Sequence, residues 1–136
     1  MALGGSRCPA TFPPPRIQLA VFRSEDGNRL RDIESLWCIL CTEALHLIWK
    51  LRCERVIQNE GREFSDREII NRFYAVLDAR LTLDRRTAAI AVGKKALRAT
   101  EPEVERIWHA ILENGKNLPP KWVVDSGVLV GIKRGR

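Results

Sequence analysis

Apolar positions along the chain recur mostly at helical spacing. From Asn28 or Leu30 to about Asn59 no Gly or Pro interrupts the sequence, and Ile33, Trp37, Leu40, Ala44, Leu47 and Leu51 step by three and four, one face of a helix. Leu36, Cys41, Leu45 and Ile48 widen that face well beyond a seam, so the helix needs cover from other helices. Asn59-Glu60-Gly61 offers its stop. Ser65-Asp66-Arg67-Glu68 reads as a capping box opening a second helix, near 66–81, with Ile69, Phe73, Val76 or Leu77, and Leu81 toward the core. A third helix is expected over 84–98, Ala-rich and anchored by Ile90, Val92 and Leu97; alternatively the second and third form one rod kinked near Thr82. Thr100-Glu101-Pro102-Glu103 is another capping box, with Pro in the first turn. The helix it opens, near 101–113, buries Val104, Ile107, Trp108, Ile111 and Leu112.

The ends break this period. Residues 1–16, with Gly4, Gly5, Ser6 and four prolines, read as a disordered leader. Residues 17–23 suit a short strand or an extended packing segment, and Ser24 to Asn28 a turn. After Leu118-Pro119-Pro120, the groups Trp122-Val123-Val124 and Val128-Leu129-Val130 flank Asp125-Ser126-Gly127. That pattern fits a small hairpin or an extended basic tail laid on the helices. The expected class is mainly α: a small helical bundle over 17–117 built on one long helix, between a leader (1–16) and an extended or hairpin-like tail (118–136).

Charge adds a bias to this frame. The 136 residues carry 23 Lys and Arg against 17 Asp and Glu, and residues 62–100 hold nine of the bases against five of the acids. A positive surface attracts nucleic acid through phosphate contacts. The candidates are Lys50, Arg52, Arg55, Arg72, Arg85, Arg86, Lys94, Lys95, Lys133, Arg134 and Arg136. The alternation of bases with acids equally describes a solvated helix face. No apolar run approaches a membrane span, so no membrane partner is expected.

Catalytic and metal chemistry find little to stand on. Cys38, Cys41, His46 and Cys53 read C-x2-C-x4-H-x6-C, close to a zinc knuckle. The segment is a strong helix, however, in which Cys38 and Cys53 lie roughly 22 Å apart along the axis, too far for one zinc ion. The cysteines are better read as small core residues whose thiols stay reduced in an intracellular compartment. There is no Gly-x-Ser-x-Gly elbow, no phosphate loop and no evident carboxylate cluster. Asp78 and Asp84, near arginines, read as surface ion-pair residues. The expectation is a non-enzyme without cofactor or metal. Four tryptophans and the wide face of the long helix make Trp37, Leu40, Leu47 and Trp49 candidate interface residues.

The segments Glu43–Ile57 (EALHLIWKLRCERVI), Phe64–Arg72, Leu81–Arg86 and Leu118–Ile132 together resemble the extreme C-terminal region of fungal LINE-type (non-LTR) retrotransposon polyproteins. In that family the region follows the reverse transcriptase, RNase H and zinc-binding parts. The resemblance spans roughly residues 17–136. Tyr74-Ala75-Val76-Leu77-Asp78 lacks the paired aspartates of a reverse transcriptase turn, and no RNase H or zinc ligand set is matched, so no catalytic residue is carried over. The resemblance implies a non-catalytic remnant or accessory domain, with weak non-specific RNA or DNA binding. The alternative is a protein–protein interaction or oligomerisation module that uses the apolar face of the long helix, docking to upstream polyprotein domains or to itself.

Overall fold

The long helix forms where the apolar period places it. In the computed structural model, which describes residues 20–58, 60–91 and 100–135, α1 runs Arg31–Ile57, about 40 Å at 1.5 Å per residue. A tight reversal leads into it. The Leu30 amide donates to the Phe22 carbonyl (2.8 Å), and Gly27, at φ +80°, donates to the Ser24 carbonyl. Glycine adopts that left-handed backbone without strain. Residues 20–23 make a single antiparallel bridge, Arg23 to Arg29, rather than a strand. Beyond α1 the Gly61 amide reaches back to the Arg55 carbonyl (2.9 Å), with Glu60 and Gly61 both at positive φ, and the chain turns round.

The break expected between helices over 66–81 and 84–98 is absent as far as Ala91: α2 runs Asp66–Ala91, and the rest of the expected third helix, with Val92 and Leu97, lies outside the described residues. No Gly or Pro stands between Leu81 and Arg86, and the Arg80–Asp84 ion pair (3.2 Å) spans the expected gap at i,i+4. The Thr82 hydroxyl simply donates to the Asp78 carbonyl one turn back (2.9 Å). The Ser65 box is half made. The Glu68 amide donates to Ser65 Oγ (3.2 Å), whereas the Glu68 carboxylate turns to Arg72. Next, α3 runs Glu101–Trp108 and closes in one 3-10 turn, His109–Ile111. Its cap is reciprocal, the Glu103 carboxylate accepting from the Thr100 amide and hydroxyl (both 3.0 Å). The leader 1–16, Cys8, Lys94, Lys95 and Arg136 lie outside the described residues.

Ion pairs set the packing. Arg72–Glu54 (2.6 Å) lies near the α1–α2 connection and Arg80–Glu43 (3.2 Å) further along, so the two helices are antiparallel. At the far half, α3 joins α1 through Arg106–Asp32 (3.6 Å), and Trp108 Nε1 donates to Asp84 (2.9 Å). The main core gathers there: Leu77, Leu81 and Ala88 of α2, Val104 and Trp108 of α3, then Leu112, Trp122, Val123 and Ile132. Leu36, Ile39 and Leu40 of α1 pack against it. Trp108 is fully buried.

The last segment is therefore not a hairpin: it is laid on the helices, as the other alternative has it, with turns in place of an extended run. It is a series of turns, with Lys121 at positive φ, that carries three of the core residues. An isolated bridge, Leu112 to Ile132, fixes its end, flanked by Glu113 amide to Gly131 carbonyl (2.9 Å) and Lys133 amide to Ile111 carbonyl (2.8 Å). Burial of a Trp and two branched side chains outweighs the lack of regular structure. No helix among the described residues is long and apolar enough to cross a membrane.

Candidate functional site

Because α3 and the last segment cover only one half of the α1–α2 hairpin, the other half stands as two helices without a third layer among the described residues. Its inner side is closed by Leu47 and Leu51, both buried but outside the main core. Its outer side is a groove of about 570 Å³ lined by Ala44, Leu47, Ile48, Ile69, Ile70, Phe73, Tyr74 and Gly135. Every lining side chain but the Tyr74 phenol is apolar. Ile48 is 61% exposed and Ile70 53%, and Val56 and Ile57 are exposed further along α1. Two sequence expectations change here. Ile69, read as core, is exposed at the groove, and Ile90, read as an anchor, is exposed on the other half of α2.

The four interface candidates divide. Leu47 lies in the groove, and Leu40 is half-buried against the main core. Trp37 is exposed and makes an edge-on contact with Phe22, centroids 6.1 Å apart. Trp49 is half-buried. Sequence periodicity marks these positions as one broad face, but it does not say where along α1 the third layer stops.

The basic candidates do not form one patch. Arg85 is committed to structure: its Nη2 donates to the carbonyls of Trp122 (2.6 Å), Asp125 (2.7 Å) and Val128 (3.1 Å), and its Nε to Val123 (3.3 Å). Burial lowers its pKa from the ordinary guanidinium value, opposed by the charge of Asp125. Arg72 is held between Glu54 and Glu68 and lies over the Phe64 ring (4.9 Å); the Glu54 hydrogen bond raises its pKa. Arg55 pairs with Glu63 (3.5 Å) and donates to the Gly61 carbonyl. Arg72 and Arg85 thus spend much of their hydrogen-bonding capacity within the chain. Lys50, Arg52, Arg86 and Lys133 are exposed and make no ion pair among the described residues, and Arg134 lies over the Tyr74 ring (5.1 Å). Arg86 lines a small cleft with Val123 and Ser126, whereas Lys133 and Arg134 line a different one.

Metal and thiol chemistry gain no site. No group of three or more His, Cys, Asp or Glu able to hold a metal ion occurs among the described residues. Cys38 and Cys41 are half-buried free thiols, and His46 is exposed. Cys53 is disulfide-bonded, so the expectation of reduced thiols fails there.

Asp78 is the residue that sequence reading missed. Asp84, its counterpart, pairs with Arg80 and accepts from Trp108 as expected of an ion-pair residue. Among the described residues Asp78 makes no ion pair, and its Oδ1 is buried without a hydrogen-bond partner. An unsatisfied buried acceptor costs about 1–3 kcal/mol and calls for an explanation. No sequence signal separates the two aspartates. Against this geometry, comparison with family models, curated proteins and solved structures finds no match.

Proposed function

We propose that this chain is a non-catalytic helical association domain, and that the apolar groove on the outer half of its α1–α2 hairpin is closed by a second copy of the same chain. The observation that carries this reading is the exposed isoleucine cluster, Ile48, Ile69 and Ile70, on two helices that lack a third layer among the described residues. Two such hairpins laid face to face about a two-fold axis complete a four-helix bundle, the arrangement that buries both stripes at once. The rim carries charges of both signs. Among the described residues, Lys50 and Arg52 on α1 make no ion pair, nor do Glu60 and Asp66 at the α2 end. A two-fold axis sets α1 of one copy against α2 of the other. Under the retrotransposon resemblance, the domain is an accessory piece that links copies of a longer polyprotein. Direct nucleic-acid contact through Lys50, Arg52 and Arg86 is secondary, because these residues do not converge.

Light scattering and sedimentation over a roughly hundredfold concentration range test the reading. The full chain is expected to dimerise, and Ile48→Asp or Ile70→Asp to be monomeric with unchanged helical circular dichroism. Leu83→Asp, an equally exposed apolar position outside the groove, is expected to dimerise like the parent. A parent chain that stays monomeric throughout, or aspartate variants that dimerise normally, overturns it.

A further inference from the structure

The C-terminal turns meet the later part of α2 at a cleft of about 190 Å³, lined by Thr82, Arg85 and Arg86 from the helix and by Val123, Val124 and Ser126 from the turns. That volume lies below the roughly 300–1,000 Å³ of sites that enclose a whole organic ligand, and it suits one small group. Its polar chemistry is concentrated in three side chains. The Thr82 hydroxyl is spent on the Asp78 carbonyl, which leaves two guanidiniums from α2 and the Ser126 hydroxyl from the turn. Arg85 carries its charge without an anion bound to it. Carbonyls satisfy its Nε and Nη2, whereas its Nη1 makes no hydrogen bond and neither Arg85 nor Arg86 makes an ion pair among the described residues. Asp125 acts on Arg85 only through space, because its Oδ1 accepts from the Gly127 amide (2.9 Å).

Ser126 stands next to that unpaired charge. Arg85 Nη2 donates to the carbonyls of Asp125 (2.7 Å) and Val128 (3.1 Å), which bracket Ser126 in the chain, so the guanidinium is held inside the turn that carries the hydroxyl. Ser126 itself is exposed, in a segment without helix or strand, where an enzyme has access to it. We propose that Ser126 is a phosphorylation site whose phosphate docks in this cleft on Arg85 Nη1 and the Arg86 guanidinium, pinning the C-terminal turns to α2. The modification needs a protein kinase and a nucleoside triphosphate. Ser126 Oγ forms a bond to the γ-phosphorus, the bond from that phosphorus to the β–γ bridging oxygen breaks, the nucleoside diphosphate leaves, and the hydroxyl proton passes to the kinase's base. A phosphoserine brings about −1.5 to −2 of charge and three acceptor oxygens, enough for two guanidiniums, which bind phosphate through paired N–H donors. The cleft shares no residue with the apolar groove, so the proposal stands apart from the pairing of two copies.

Two measurements on the full chain test this. Incubated with ATP and a eukaryotic cell extract, the chain is expected to gain a phosphate on Ser126, located by fragment mass spectrometry. The chain made with phosphoserine at position 126 then tests the docking. Its melting temperature is expected to rise by roughly 5 °C, and the amides of residues 122–128 to exchange more slowly with solvent. Arg86→Gln leaves Arg85 and its four carbonyls in place. Without the phosphate this variant is expected to melt like the parent, and with it to lose most of the gain. A phosphatase is expected to release the phosphate several-fold more slowly from the parent than from Arg86→Gln. No phosphate on Ser126, a melting temperature that phosphoserine leaves unchanged or lowers, or a gain that survives in Arg86→Gln overturns the proposal.

Discussion

Arg85 shows how one side chain organises a segment that has no regular structure. The turns of residues 122–128 bring four carbonyl oxygens to one guanidinium, and of these the Asp125 oxygen also accepts from the Val128 amide. A single planar guanidinium reaches all four, which an ammonium group on a lysine does not. Arg85→Ala leaves the Trp122, Val123 and Val128 oxygens without that donor, while the Asp125 oxygen keeps the Val128 amide, and is expected to cost about 2–4 kcal/mol; Arg85→Lys recovers less than half of that, both read from denaturant melts. Two carboxylates set the acid limb of stability. Hydrogen bonds from the Arg29 guanidinium to Glu34, and from the Thr100 amide and hydroxyl to Glu103, hold both below the usual range. A depressed folded-state pKa gives stability that is fully present above the unfolded glutamate value, about 4.3, and is lost as pH falls through the folded value. The melting temperature is therefore expected to fall from about pH 4 downward, and Glu103→Gln to fall less steeply, having lost the charge already.

At the scale of elements, continuity and length are decided by what each helix packs against. The run from Leu81 to Arg86 is polar enough to suggest a break, yet α2 passes through it because Asp84 is fixed from two sides, by Arg80 and by the Trp108 indole. The outcome for α3 is the reverse. It ends at Trp108, short of the periodic residues Ile111 and Leu112, because Leu112 is drawn into the bridge with Ile132. The chain after Asn117 is structural in the same sense. Trp122, Val123 and Ile132 are buried among side chains of α2 and α3, and each contributes about 1.5–3 kcal/mol or more, against a total of about 5–15 kcal/mol for a small domain. A chain truncated after Asn117 is expected to lose its cooperative melt while keeping much of its helical circular dichroism.

For the whole molecule, the consequence is an uneven distribution of stability along one hairpin. The half covered by α3 and the C-terminal turns contains the main core, whereas the outer half keeps two buried leucines, Leu47 and Leu51, and exposes Ile48, Val56, Ile57 and Ile70. Amides of residues 77–88 are expected to exchange with solvent slowest, and those of 44–57 and 66–72 faster. With dimerisation through the groove, protection of the outer half rises with chain concentration while that of residues 77–88 stays constant. Concentration-independent exchange in the outer half would count against the two-fold pairing.

By itself the sequence determined the mainly helical class, the position of α1 to within a few residues, the turn at Asp26-Gly27, the start of α2 at Ser65 and the cap at Thr100. These rest on period, caps and glycine, which act within a few residues of the chain. The candidate site was legible only as a broad apolar face around Leu40, Leu47 and Trp49 and a scatter of bases. The tertiary structure alone decided the rest. It buried Trp122 and Ile132 in a segment without periodicity, committed Arg72 and Arg85 to hydrogen bonds within the chain, and exposed Ile69 and Ile90. It also separated Asp78, unpartnered, from Asp84, doubly bonded, six residues later on the same helix. Each outcome depends on which side chains arrive from distant parts of the chain, because hydrogen-bond satisfaction and burial are settled by neighbours in space.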